Sequence, residues 1–208
     1  MKDFILILSM FLSISQSVFG QILAEGAFHA GSVKDKEGNT WGGQIKYDTK
    51  QQTVMVDNGG TLKTFNARNI EGFSFFDSKV KANRRFLTLM YAKNANTNYE
   101  SAIFFEVLSE GNKVTLLGTE YLETRMNPQA GWGWYGAGGR TFSYRIVTEF
   151  YIMNKNGKIV KLRTASKKQF LSQMKDEASQ LEVFMKKNKL GVQQRLDMIK
   201  IFDFYNTL

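Results

Sequence analysis

One His and no Cys leave this chain few groups for covalent chemistry. The missing thiol excludes a disulfide framework, a thiolate metal site, a Cys nucleophile and a lipidated N-terminal Cys. A single His excludes a multi-His zinc site. That His, His29, lies in the strand-like run Ala27-Phe28-His29-Ala30 with no partnered nucleophile and no G-x-S-x-G motif in the chain, so it reads as a structural or surface side chain. Asp35-Lys36-Glu37-Gly38-Asn39 resembles a calcium loop only superficially. Its Gly is fourth rather than sixth and no Glu stands at the twelfth position, so a hairpin turn explains it. Glu100, Glu106, Glu110, Glu120 and Glu123 could supply the carboxylate pair of a cell-envelope glycan hydrolase, if two of them faced each other about 5–9 Å apart across a cleft. No metal site and no cofactor site is expected.

Two other groups of residues suit binding rather than catalysis. Gly131-Trp132-Gly133-Trp134-Tyr135-Gly136-Ala137-Gly138-Gly139 follows Pro128 and holds five of the 18 Gly and two of the three Trp. Trp132, Trp134 and Tyr135 could stack on sugar rings, touch a protein partner or dip into a lipid interface. They could equally fold back over a sheet edge. The second group is basic. Residues 155–208 hold 12 Lys+Arg against 5 Asp+Glu, whereas residues 1–154 hold 16 against 14. Lys167, Lys168, Lys175, Lys186 and Lys187 are the binding candidates here, aimed at an anionic envelope surface, a glycan or an acidic partner. A solvated helix face is the alternative reading. Basic residues with interleaved aromatics would also suit nucleic acid. Export argues against it, and no nucleic-acid partner is expected.

Export is read from the N-terminus. Met1-Lys2-Asp3 is a short polar start, Phe4–Leu12 is almost wholly apolar, and Val18 and Gly20 fit the −3 and −1 positions of a cleavage after Gly20. The apolar run is short for a membrane span, and nothing after Gly20 reaches membrane length, so no transmembrane segment is expected in the mature chain. Residues 1–20 therefore read as a signal peptide, and the expected location is periplasmic, outer-membrane-associated or secreted. The remainder, 21–208, is long enough to bury about 70% of its unfolded surface.

Such a remainder must position its candidate groups on strands first and helices afterwards. Ile45 and Tyr47 alternate with Gln44 and Lys46, and Thr53-Val54-Met55-Val56 leads into Asp57-Asn58-Gly59-Gly60, a hairpin signal. Glu100–Leu108 is apolar on both faces, which predicts a doubly covered strand, and Lys113–Tyr121 pairs with it across Glu110-Gly111-Asn112. In Thr141–Met153, Phe142, Tyr144, Ile146, Phe150 and Ile152 share one face. The pattern changes at Ser166, the N-cap of a capping box with Gln169. Leu171, Met174, Ala178, Leu181 and Met185 form one helical stripe, Gly191 is the expected left-handed break, and Val192, Leu196, Ile199 and Phe202 form a second stripe. The expected fold is mainly β with C-terminal α (α+β). Residues 21–165 make an antiparallel sandwich or partly open barrel, and residues 166–208 make a two-helix hairpin packed on it.

Several segments also resemble, taken together, a group of exported Bacteroidota proteins of about 200 residues with unassigned function. They are Gly42-Gly43-Gln44-Ile45-Lys46-Tyr47, Phe104-Phe105-Glu106-Val107-Leu108-Ser109-Glu110-Gly111, Lys167-Lys168-Gln169-Phe170, Met185-Lys186-Lys187-Asn188-Lys189-Leu190 and Tyr205-Asn206. The resemblance implies an envelope location and carries over no catalytic residue. The leading expectation is a non-enzymatic exported binding or envelope-associated module. The glycan hydrolase is one alternative. A small outer-membrane β-barrel is another, although the helix-patterned tail departs from a barrel's terminal strand.

Overall fold

The computed structural model describes residues 27–93, 99–127, 141–174 and 177–208. The predicted signal peptide, the aromatic loop with Trp132, Trp134 and Tyr135, and Lys175 lie outside the described residues. Ten strands come first: β1 (His29–Asp35), β2 (Thr40–Asp48), β3 (Thr53–Asp57), β4 (Leu62–Asn66), β5 (Ile70–Asp77), β6 (Ala82–Tyr91), β7 (Ser101–Glu110), β8 (Val114–Asn127), β9 (Thr141–Asn154) and β10 (Ile159–Lys161). Three helices follow: α1 (Lys167–Leu171), α2 (Ala178–Lys187) and α3 (Arg195–Tyr205). The described strands form one antiparallel sheet in the order β10-β9-β8-β7-β6-β5-β1-β2-β3-β4. Its two outer strands do not pair with each other, so the sheet is open. This is the expected α+β architecture.

Every neighbouring pair but one is consecutive in sequence. The exception is β1–β5, which joins the meander β1–β4 to the meander β5–β10. Gly59 (φ 86°) and Gly157 (φ 77°) turn the β3–β4 and β9–β10 connections in the left-handed region that a side chain disfavours. The β1–β2 turn is tied by Asp35, whose Oδ1 accepts the amides of Glu37 and Asn39 at 3.0 and 2.8 Å. Its Oδ2 accepts the Trp41 indole at 3.0 Å.

The sheet curls strongly. Tyr47 of β2 packs on Phe73, Phe86 and Phe104 with ring centroids 5.0–5.8 Å apart, although β2 and β7 are four strands apart in the sheet. The Gln52 side chain accepts the Phe104 amide at 3.4 Å. Inside the curl lies a core of Val33, Ile45, Val54, Ile70, Phe73 and Phe86. Close strand approach needs a residue without a side chain at Gly72, where a Cβ would stand 2.3 Å from the Phe86 carbonyl oxygen. Gly72→Ala therefore forces the β5 and β6 backbones apart and lowers the unfolding free energy by about 1–3 kcal/mol. An unchanged urea midpoint would refute that.

On the same face of the sheet, further along β7–β9, sit the helices. Leu116, Phe150 and Leu162 pack against Phe170, Leu181, Met185, Met198 and Phe202. The opposite face carries a second apolar group in which Phe105 meets Tyr91 and Tyr151 edge-on at 5.7 and 5.0 Å. Thus β7 is covered on both faces, as its sequence predicts.

Three helical details differ from the sequence reading. The first stripe is not one helix, because α1 ends at Leu171. There the Gln173 side chain leaves the helix to exchange two hydrogen bonds with the Arg163 backbone, at 3.0 and 3.1 Å. The left-handed break is at Lys189 (φ 54°), not Gly191, and the Leu190 amide closes back on the Met185 carbonyl at 2.9 Å. Gly191 instead donates its amide to Asp197. In α3 the inward side chains are Arg195, Met198, Ile201, Phe202 and Tyr205, and Leu196 is exposed. Arg195 is drawn inward by a buried carboxylate, which turns Leu196 outward. The Ser166 cap forms as expected, its Oγ accepting the Gln169 amide at 3.2 Å.

Candidate functional site

Strand alternation and register assemble a cluster of charges around Glu106, the most buried charge of the described chain. Glu106 on β7 stands opposite Phe86 of β6 and Gly118 of β8. Arg84 lies two residues before Phe86, and Glu120 two after Gly118, so both are diagonal neighbours of Glu106 on one face. Gly118 contributes no side chain between them. Arg84 donates to both oxygens of Glu106 at 2.9 and 2.7 Å and pairs with Glu120 at 2.9 Å and Asp77 at 3.4 Å. Arg195 reaches across from α3 to Glu106. Burial works against the Arg84 charge, but the surrounding carboxylates outweigh it and hold the guanidinium protonated. Burial pushes the Asp77 carboxyl up. The Lys79 and Val80 amides and Arg84 outweigh that and hold it below the ordinary range. Burial raises the nearby Tyr47 hydroxyl, opposed by its hydrogen bond from Gln52.

Two of the five candidate carboxylates therefore do meet, but on a shared guanidinium. Both Glu106 oxygens are engaged by arginines and the residue is 2% exposed, so it has no free oxygen for water or substrate. Glu110 pairs with Arg85, Glu123 with Arg125 and Arg145, and Glu100 is exposed. No group of three metal-ligating side chains occurs among the described residues. His29 stacks on Phe75 at 5.0 Å. The node joins the helical layer to the sheet, and its chemistry is that of a structural ion network.

Three of the five basic candidates, Lys167, Lys168 and Lys186, line a different site. A half-open depression of about 700 Å³ lies between α1 and α2, lined by Lys167, Lys168, Leu171, Glu182, Met185 and Lys186. Helical spacing accounts for it. Residues 167, 168 and 171 share one side of α1, and 182, 185 and 186 share one side of α2. Leu171 and the buried Met185 form an apolar floor, and three ammonium groups with one carboxylate ring it. No salt bridge among the described residues involves Lys167, Lys168 or Lys186. By contrast Lys113 is paired with Glu177 and Lys161 with Glu149. Lys187 is exposed on α2 but does not line the depression.

A smaller depression of about 120 Å³ is lined by Thr40, Trp41, Gly42, Val56, Asn58, Thr61 and Lys63. The Lys63 ammonium sits 3.1 Å from the Trp41 ring centroid, so that stacking face is already occupied. Sequence spacing gave no sign of this site or of the Arg84 node, because both depend on cross-strand register.

The class these features define is an open, curled antiparallel sheet clasped by C-terminal helices, with a basic, apolar-floored depression on the helical layer. No protein-family model, curated protein or solved structure matches the chain.

Proposed function

We propose that this chain is a non-enzymatic, exported module that binds the anionic surface of an envelope bilayer through its helical end. The observation that carries the reading is the convergence of Lys167, Lys168 and Lys186 over the apolar floor of Leu171 and Met185. Ammonium groups with no salt bridge among the described residues, beside an apolar patch, suit a surface that is negative at the headgroups and apolar beneath. The signal-peptide pattern of residues 1–20 and the net charge of +9 support the same reading. The saturation of Glu106 by arginines weighs against the hydrolase alternative.

Each Lys near an anionic bilayer contributes about 1 kcal/mol. The variant Lys167→Gln/Lys168→Gln/Lys186→Gln therefore binds vesicles of phosphatidylcholine with phosphatidylglycerol about a hundredfold more weakly than the parent chain. Vesicle flotation at low salt measures this. Equal binding by the parent and the triple variant would overturn the assignment of the site.

A further inference from the structure

The β8–β9 pair outruns the rest of the sheet. Strand β7 pairs with β8 only from Thr115 to Gly118, whereas β8 and β9 continue in register to Asn127↔Thr141. On the other side, β10 reaches only Tyr151–Met153 of β9. Residues 119–127 and 141–149 therefore form a two-stranded ribbon with no third strand among the described residues. Its departure point has a physical cause. A bulge between Val107 and Ser109 places an extra residue, Leu108, opposite Leu116 and Leu117, just before the last paired residue of β8, Gly118, and a bulge increases local twist.

The register puts Leu122 opposite Ile146, Thr124 opposite Tyr144 and Met126 opposite Phe142. Directly paired residues point to the same face, so these side chains make one apolar surface. Met126, Phe142, Tyr144 and Ile146 are each 50–58% exposed. The other face is polar at its outer end, with Glu123 bridging Arg125 and Arg145 at 3.1 and 2.9 Å, and carries Tyr121 opposite Val147 at its inner end. A two-stranded ribbon is marginal in water without something packed on its apolar face. The face is continuous with that of Leu116 and Phe150, but the helices cover those two and leave the ribbon bare.

We propose that this face is a bilayer-contacting surface that lies in the lipid interface. Two observations select that occupant. A ribbon nine residues long and two strands wide presents a face of about 30 by 10 Å. Two copies packed face to face would then bury about 600 Å² in total, below the roughly 1,000 Å² a specific pair needs. The net charge of +9 and Lys167, Lys168 and Lys186, which form no salt bridge among the described residues, draw the molecule toward an anionic membrane rather than an apolar protein surface. The proposal rests on the bilayer reading above and adds its apolar anchor. Lysines attract the molecule in a salt-sensitive way, and the ribbon holds it in a way that salt does not screen.

The chain has no Cys, so one introduced Cys is the sole labelling site. Met126→Cys and Tyr144→Cys report the apolar face, and Arg125→Cys and Ser143→Cys the polar face, each carrying an environment-sensitive fluorophore. With vesicles of phosphatidylcholine and phosphatidylglycerol, the probes at 126 and 144 shift to the blue and those at 125 and 143 do not. Phe142→Ser/Ile146→Ser loses at least about tenfold of the binding that survives near 1 M salt, where the Debye length is about 3 Å, and keeps the low-salt component.

Salt-sensitive binding with no shift at 126 or 144 would overturn the ribbon and spare the lysine site. A shift at 126 and 144 on neutral vesicles, with no gain from phosphatidylglycerol, would overturn the lysine site and spare the ribbon. A shift at all four positions, or one that grows with protein concentration without lipid, would replace the bilayer by a protein partner or a second copy. No binding to either vesicle would overturn both.

Discussion

Glu106→Gln lowers the free energy of unfolding by about 3–5 kcal/mol, the cost of removing one partner from a buried ion network. The carboxylate is 2% exposed and accepts from Arg84 twice and from Arg195 once. A neutral amide keeps the volume and loses the charge. Arg84 still has Glu120 and Asp77 beside it, whereas Arg195 is left with no carboxylate among the described residues. Arg195→Met is the control. It keeps an apolar stem of similar length and leaves Glu106 its two bonds from Arg84, so it costs about 1.5–3 kcal/mol, the range for a hydrogen bond to a charged group. Urea melts of the two variants give the order. Were Glu106→Gln to cost less than Arg195→Met, the carboxylate would not be the centre of the network.

Phe202→Ala costs about 3–5 kcal/mol, the range for truncating a buried aromatic ring and leaving its cavity. Phe202 is fully buried at the middle of α3, 6.1 Å from the Phe170 ring and 5.8 Å from Tyr205. It sits where α1, α3 and the sheet meet, so no single element can collapse into the space. The loss falls mainly on the helical layer. Hydrogen exchange of α2 and α3 amides therefore speeds up more than that of β1–β5 amides. A uniform increase across both would mean that helices and sheet unfold only as one unit.

Much of the fold was legible from local signals. The turn at Asp57–Gly60 was readable because Gly at the left-handed position is a chemical requirement of the turn. Ser166 was readable because its hydroxyl has one good partner, the Gln169 amide. Strand β7 could be read as doubly covered because both its faces are apolar. What failed was whatever depended on distant chain. The apolar face of β9 runs from Phe142 to Ile152 interrupted only by Thr148, and nothing in that run shows that cover stops near Phe150. The limit is set by where β7 parts from β8 and where the helices end. The α3 stripe was misread because Arg195 looked like a surface residue until Glu106, on another strand, drew it inward. The lysines were correctly grouped as a basic end. The gathering of Lys167, Lys168 and Lys186 at one depression depended on α1 stopping at Leu171, which in turn depended on the two hydrogen bonds the Gln173 side chain exchanges with the Arg163 backbone.

The seam between β1 and β5 bears on how quickly the molecule can form. All other strand pairs join neighbours along the chain, so hairpins on either side of the seam assemble with little loop-closure entropy. Among the described strand pairings only one long-range search remains, the zippering of two preformed halves. For a polypeptide emerging N-terminus first, the leading half can complete its own pairings before its mate has appeared, and it presents β1 as the template on which β5 then docks.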